Sequence, residues 1–179
     1  MKKNSLIVLL IIAFATNAQE KMVSYEGIIN FEASIPLFEE VKATNEKTTC
    51  ILITKTGEIT CWVNIKDFKF KRNLMEEHFN TYYLESDRYP RAVFKGRIDK
   101  FDLKNVKAET IIYRINGKMT IHGRSKKITT KASLKKVPTG IELFSEFPLN
   151  TDDFKIEIPF IVRSKISKNV NTQISCVLK

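Results

Sequence analysis

The sequence contains few of the residues that build metal and catalytic sites. Its 179 residues include only two histidines, His78 and His122, and three cysteines. A zinc site needs several His, Cys or carboxylate ligands that converge, and the sequence has no H-E-x-x-H or C-x-x-C pair. It also lacks a G-x-S-x-G elbow and a glycine-rich phosphate loop. We therefore expect no metal, no cofactor and no enzymatic activity.

Long apolar runs are also scarce, and the longest is Leu6 to Ala15 near the N-terminus. It is too short to span a bilayer, which needs about 20 apolar residues. Two lysines precede the run, and the small residue Ala18 follows it, which is typical of a signal peptide. We predict a signal peptide over residues 1–18, cleavage near Ala18, one domain over residues 19–179, and a periplasmic or secreted location. An uncleaved membrane anchor is the alternative.

Acidic residues are too few to balance the basic ones. The sequence has 30 Lys and Arg but only 20 Asp and Glu, which gives a net charge of +10. The densest basic groups are Lys66–Arg72 and Arg124–Lys127, and neither matches a nucleic-acid-binding motif. We expect no nucleic-acid partner. The charge favours solubility or a weak peripheral contact with anionic lipid headgroups. The oligomeric state stays open, with a homodimer as one alternative.

The cysteines Cys50, Cys61 and Cys176 each lie on a predicted strand among apolar or small residues. This setting favours free buried thiols that act as small hydrophobes. A Cys50–Cys61 disulfide is the alternative in an oxidising compartment. With Thr56-Gly57 as the hairpin turn, Cys50 lies opposite Val63, and the two sulfurs are diagonal neighbours on one face.

Apolar and polar residues alternate along most of the remaining chain, which is typical of strands with one apolar face. Phe68 and Phe70 extend the third strand beyond a predicted bulge near Asp67. No βαβ unit occurs, and a closed barrel would leave no exposed sheet edge. We therefore predict an all-β fold, an eight-stranded antiparallel barrel. The predicted strands cover residues 23–33, 51–54, 59–65, 92–98, 111–121, 128–134, 141–149 and 170–178.

One segment between the early and middle strands changes period and predicts an amphipathic helix of about three turns. Asn73 is a suitable N-cap, and Glu76 completes a capping-box pattern. The helix must end before Pro90. It either gates the barrel as a lid or plugs one end as core. The residues that follow helical spacing along one face are Leu74, Met75, His78, Phe79 and Tyr82.

The inward face of the predicted strands mixes bulky and small residues. Small residues on several strands would leave a cavity with apolar walls. Glycines and alanines also let barrel strands bend, so a filled interior stays open as the alternative. The small inward residues are Gly27, Ala33, Ala92, Gly96, Gly117, Ala132 and Ser145.

Three ordered blocks of sequence resemble the YceI-like family of exported lipid- and polyisoprenoid-binding bacterial proteins. The resemblance implies a lipocalin-like barrel with an elongated apolar pocket, a periplasmic or secreted location, and no catalytic residue. Arg124 departs from the pattern, since members often carry Val after the glycine of the second block. The blocks are Phe68–Phe70 with Leu74–Asn80 and Glu85–Gly96, then Gly117–Gly123, then Phe154–Pro159.

The inward face, the helix and the resemblance together predict a binding site. We expect a polyisoprenoid or quinone-type chain in the barrel, bound for transport or storage in the cell envelope. The alternative is a structural or interaction barrel with a packed interior and no ligand. His78, Asn80 and Tyr83 are candidates to contact a headgroup, whereas His122 beside a turn is expected to be structural. The candidate apolar pocket residues are Phe31, Phe68, Phe70, Leu74, Met75, Phe79, Phe94, Tyr113, Met119 and Phe147.

Overall fold

The computed structural model describes residues 20–179, so the predicted signal peptide and Gln19 lie outside the described residues. A single α-helix in this range, α1 (Asn73–His78), continues as a π-helical turn over Phe79–Tyr83. The strands are β1 (Lys21–Ser34), β2 (Lys42–Ile53), β3 (Glu58–Asn64), β4 (Lys69–Phe70), β5 (Arg91–Ile98), β6 (Ile111–Ile121), β7 (Arg124–Val137), β8 (Gly140–Asn150) and β9 (Ile166–Leu178).

Eight of these strands form one closed antiparallel barrel, which confirms the predicted fold class. Their order around the barrel is β1-β9-β8-β7-β6-β5-β3-β2, and β2 pairs with β1 to close the sheet. Closure pairs the outer strands of the sheet with each other, which removes exposed edges. The two-residue β4 pairs only with β2, beside the barrel proper.

Because consecutive strands run in opposite directions, the connections collect at the two ends of the barrel. We call one end the packed end, formed by the connections 54–57, 99–110 and 138–139. The other, the open end, carries α1 and the π-helical turn. Its connections cover residues 35–41, 65–90, 122–123 and 151–165.

The half of the barrel toward the packed end is filled by the protein's own side chains. Leu52, Leu134 and Leu178 are wholly buried there. A packed interior, the alternative left open by the sequence, therefore describes this half of the molecule. The rest of the cluster comprises Cys50, Ile59, Cys61, Ile98, Val106, Ile115, Ala132, Ile141, Leu143, Ile174 and Cys176.

Strand β2 begins nine residues earlier than the sequence predicted, at Lys42 rather than Ile51. A β-bulge interrupts the alternation in the first part of β2. The inward-facing residues change from odd to even positions between Asn45 and Thr48, which are both wholly buried. The Asn45 side chain accepts a hydrogen bond from the Lys47 backbone N–H at 2.8 Å and holds the bulge. Two buried polar residues and a shift of parity leave no period-two signal.

The hairpin between β2 and β3 has a four-residue loop, Thr54–Gly57, so the predicted two-residue turn is wrong. Gly57 N–H bonds Ile53 O at 2.9 Å, and Ile53 pairs with Glu58. This register places Cys50 directly opposite Cys61 rather than Val63, and a disulfide joins the two cysteines. Our preference for free thiols at these two positions is therefore wrong.

The third cysteine, Cys176, is a free and buried thiol, as predicted. It lies on β9 within the packed half of the barrel.

The helix lies where the sequence predicts it, but its start differs. Asn73 is the first helical residue rather than the N-cap, and no side chain caps the helix. Glu76 instead accepts hydrogen bonds from Phe70 N at 3.3 Å and Lys69 Nζ at 2.5 Å. The carboxylate therefore links α1 to β4.

The predicted continuation of β3 through Phe68 and Phe70 is also different. A 3₁₀ turn over Ile65–Asp67 interrupts the strand, and β4 then pairs with the start of β2. This detour brings Phe68 inward, where it is 5% exposed.

Candidate functional site

A cavity of about 360 Å³ occupies the half of the barrel toward the open end. Its volume lies in the lower part of the range typical of small-molecule sites, about 300–1,000 Å³. Inward side chains of β1, β3 and β5 to β9 form its walls, and it is partly open to solvent. The barrel is thus packed solid at one end and hollow toward the other.

Four phenylalanines form one side of the cavity, and we call them the phenylalanine cluster: Phe31, Phe68, Phe70 and Phe79. Phe79 contacts the other three rings, as Phe31 does, with ring centroids 5.4 Å from Phe31, 5.7 Å from Phe68 and 5.0 Å from Phe70. Separations of this size are favourable for aromatic pairs. The cluster therefore fastens the first residue of the π-helical turn to the barrel wall.

Eight of the ten candidate apolar residues line the cavity, and two do not. Leu74 is 61% exposed on the outer side of α1. Tyr113 faces inward, but it lies in the packed half, with its ring 6.2 Å from that of Phe101. The eight that line the cavity are Phe31, Phe68, Phe70, Met75, Phe79, Phe94, Met119 and Phe147.

Two of the three candidate headgroup residues, His78 and Tyr83, border the cavity. Partial burial raises the pKa of the Tyr83 hydroxyl above its usual value, so this group stays protonated and available as a donor. Asn80 does not line the cavity. Its side-chain Nδ2 donates to Glu76 O at 2.9 Å, which gives it a role within the helical segment.

No Asp, Glu, Lys or Arg lines the cavity within residues 20–179. The Ser145 hydroxyl is already engaged, since it donates to Lys131 O at 2.8 Å. The Thr151 hydroxyl is buried and has no hydrogen-bond partner among the described residues. Besides His78 and Tyr83, the polar residues on the lining are Thr130, Ser145, Asn150, Thr151, Ser167 and Thr172.

Sequence reasoning missed the wall contributed by residues 150–167. Thr151 begins a 3₁₀ turn, and the residues that follow it cross the open end without forming a strand. Phe154, Ile156 and Ile158 keep a period-two spacing, but the segment forms no strand, and the sequence did not indicate that these side chains face the cavity. The missed apolar members are Phe154, Ile156, Ile158, Val162 and Ile166.

His122 joins three segments of the open end. Its Nε2 lies 2.8 Å from Glu85 Oε2, its Nδ1 lies 3.3 Å from Phe154 O, and its ring is 4.7 Å from that of Tyr89. With φ at 49° for His122 and 67° for Gly123, the β6–β7 connection is a two-residue turn of the kind that suits hairpins. The contacts give His122 a structural role.

Other kinds of site are not evident in the part of the chain that the structure describes. No group of three or more His, Cys, Asp or Glu converges there as a metal ion would require. Between residues 20 and 179, no helix combines the length and apolar character needed to cross a bilayer.

A closed antiparallel barrel with an apolar cavity toward one end belongs to the lipocalin-like class of architectures. The chain matches the model of the YceI-like domain over residues 15–178. It therefore belongs to the YceI-like family, which confirms the resemblance found in the sequence. Among curated proteins, no significant match exists.

Solved structures with low sequence identity share this fold. A polyisoprenoid-binding domain from Saccharophagus degradans implicated in plant cell wall breakdown matches with a TM-score of 0.75 and 15% identity, covering 89% of this chain and 97% of that one. BcnA of Burkholderia cenocepacia matches with a TM-score of 0.71 and 14% identity, over 86% and 96%. The YceI protein of Campylobacter jejuni matches with a TM-score of 0.63 and 17% identity, covering 81% of this chain and 88% of that one.

Proposed function

We propose that this protein binds one uncharged, chain-like lipid, a polyisoprenoid or quinone-type molecule, in the cavity of its barrel. The observation that carries the proposal is the cavity itself: about 360 Å³ of space whose lining holds no charged residue. Apolar walls stabilise a hydrocarbon by about 25 cal/mol for each Å² of apolar surface removed from water. Roughly 300 Å² of buried chain would contribute about 7 kcal/mol before the cost of ordering the ligand.

The lining also restricts which polar groups the buried part of the ligand can carry. Burying an ionised group without an opposite charge is very costly, so a carboxylate or phosphate would have to remain outside at the open end. A carbonyl or hydroxyl group needs only a hydrogen bond. Thr151, whose buried hydroxyl has no partner among the described residues, and Tyr83 are suited to supply it. A quinone or a prenyl alcohol satisfies both conditions.

Membership of the YceI-like family supports this choice, as does the similar fold of the polyisoprenoid-binding domain from Saccharophagus degradans. The lining supports binding rather than catalysis, because it offers neither a carboxylate pair nor a nucleophile beside a base.

We further propose that the protein carries or stores its ligand in the cell envelope after export and cleavage near Ala18. Residues 1–18 support export, because positively charged residues are followed by an apolar run and then by a small residue, as in a signal peptide. The Cys50–Cys61 disulfide is also in keeping with an oxidising compartment.

Displacement of an environment-sensitive apolar fluorophore by a prenylquinone tests the proposal. Two alanines on inward faces provide matched variants, since Ala92 lines the cavity and Ala132 lies 1% exposed in the packed half. Ala92→Leu should narrow the cavity and weaken competition while the protein stays folded. Ala132→Leu should instead cost about 1–3 kcal/mol of stability through overpacking. Unchanged displacement in Ala92→Leu would place the ligand elsewhere.

A further inference from the structure

The most exposed apolar side chains of the described chain gather at the open end of the barrel. Leu37, Phe160 and Ile161 are 103%, 86% and 84% exposed, more than any other large hydrophobic residue between positions 20 and 179. Soluble surfaces carry scattered apolar residues, but a group at one end indicates an interaction site. Together with other exposed residues of this end they form what we call the apolar rim: Leu37, Phe38, Leu74, Tyr82, Phe160 and Ile161.

Leu37 is held outward by an unusual backbone conformation. Its φ is 71°, in the left-handed region that residues other than glycine, asparagine and aspartate rarely adopt. The β1–β2 connection therefore presents a fully exposed leucine at a strained position. Nothing within the described barrel packs against this side chain.

Basic side chains without an acidic partner flank the rim. Arg163 and Lys165 lie two and four residues after Ile161, and among residues 20–179 neither forms an ion pair. Lys71 near Leu74 and Lys155 ahead of Phe160 are likewise exposed and without an acidic partner in the described chain.

The acidic residues nearest Leu37 are largely neutralised. Glu39 Oε1 lies 2.5 Å from Arg72 Nε, and Glu40 Oε1 lies 3.1 Å from Lys42 Nζ. The open end thus combines protruding apolar groups with four unpaired basic residues, Lys71, Lys155, Arg163 and Lys165, against two unpaired acidic residues near the rim, Glu77 and Glu157, among the described residues.

We propose that the open end docks onto an anionic lipid bilayer, with the apolar rim inserted among the headgroups and the flanking lysines and arginine against lipid phosphates. Apolar residues backed by Lys and Arg are the combination that holds peripheral proteins in the interface. The cavity is partly open and borders the same connections, since Val162 and Ile166 line it. A lipid chain would pass between the bilayer and the cavity without crossing water.

A second copy of this chain is a poorer occupant of the rim. Rim-to-rim contact would bring together two surfaces with the same surplus of unpaired basic residues, and like charges at an interface oppose association. An anionic bilayer meets those charges with opposite ones.

Vesicle flotation tests the docking surface. We expect wild type to bind vesicles of phosphatidylglycerol and phosphatidylcholine and to bind phosphatidylcholine alone at least about tenfold more weakly, because each basic residue near an anionic surface contributes about 1 kcal/mol. Phe160→Ser with Ile161→Ser should weaken binding to the anionic vesicles about tenfold or more. The matched control is Tyr25→Ser with Ile112→Ser, two wall residues 72% and 68% exposed, and it should bind as wild type does.

All proteins are expressed from the full sequence, and intact mass establishes that their N-termini are identical. The vesicles contain no prenyl lipid, so the outcome does not depend on what the cavity holds. Equal binding of the rim variant and wild type would overturn the proposal. So would a rim variant that changes only the oligomeric state in sedimentation, because the rim would then be a contact between copies.

A second measurement locates the inserted residues directly. Trp62 is the only tryptophan of the chain, so Trp62→Phe provides a background without tryptophan fluorescence. In that background, the fluorescence of Ile161→Trp should be quenched at least about threefold more by brominated lipid than that of Ile112→Trp, because only position 161 would lie within the bilayer. Equal quenching at the two positions would contradict docking by the open end.

Discussion

The ring of Phe94 lies directly over Gly117 on the neighbouring strand. A Cβ placed on Gly117 would stand 2.5 Å from Phe94 Cζ and 2.6 Å from Lys95 O. Gly96, which pairs with Gly117 across the strands, lies under the same ring, with a built Cβ 2.7 Å from Phe94 Cζ. The two glycines therefore make room for an aromatic ring, and that ring forms part of the cavity wall.

We expect Gly117→Ala to destabilise the protein by about 1–3 kcal/mol, since the new methyl group meets both the ring and a backbone carbonyl. Urea unfolding monitored by circular dichroism measures the effect. In a Phe94→Leu background the same substitution should cost less, because the smaller side chain can move aside. An equal cost in both backgrounds would mean that the carbonyl contact alone excludes a side chain at position 117.

The disulfide predicts the number of reactive thiols. The chain has three cysteines, and the Cys50–Cys61 disulfide leaves Cys176 free. Denatured but unreduced protein should therefore react with one equivalent of a thiol reagent and reduced protein with three. Three equivalents without reduction would show that the disulfide does not form.

Removing the disulfide should also lower stability. It links cysteines 11 residues apart. In the loop-closure model a cross-link of this length stabilises by up to about 3 kcal/mol. We expect Cys50→Ala with Cys61→Ala to lose about that amount in urea unfolding. Reductant should destabilise wild type similarly and leave the double variant unchanged, whereas an equal effect of reductant on both would assign the loss to something other than the disulfide.

Burial of Cys176 predicts how stability depends on alkaline pH. Burial raises the pKa of this thiol from its ordinary 9.0 to about 12. Above pH 9 the unfolded chain has lost the thiol proton while the native state retains it, so stability is full below pH 9 and falls as pH rises toward 12. The slope reaches about 1.4 kcal/mol per pH unit. Between pH 8 and 10.5, Cys176→Ala should show a shallower decline than wild type, and identical slopes would contradict the burial of this thiol.

The sequence predicts the class of fold well because most inward residues keep strict alternation. On β6, Ile115, Gly117 and Met119 all face the interior as the pattern requires. The pattern fails on β2, where Asn45 and Thr48 are buried polar residues on either side of a bulge. It also fails at Thr54–Gly57, because the length of a loop depends on the conformation of its backbone and not on residue type alone.

The position of the cavity was harder to predict than the barrel. Tyr113 and Met119 lie on the same face of β6, yet Tyr113 packs in the filled half and Met119 lines the cavity. Alternation identifies the face of a strand but not the depth of a residue along the barrel. Depth depends on which connections fold over each end, and the alternation of Phe154, Ile156 and Ile158 did not indicate that their segment forms a connection rather than a strand.

Native mass spectrometry of freshly purified protein shows whether the cavity holds a lipid, because it weighs the barrel together with any molecule held inside. We expect one lipid per chain, with the mass of an uncharged prenyl compound. After the lipid is stripped, added prenylquinone should restore a one-to-one complex, and Ala92→Leu should reduce it. Protein that is consistently bare and takes up neither prenyl lipids nor quinones would contradict the account.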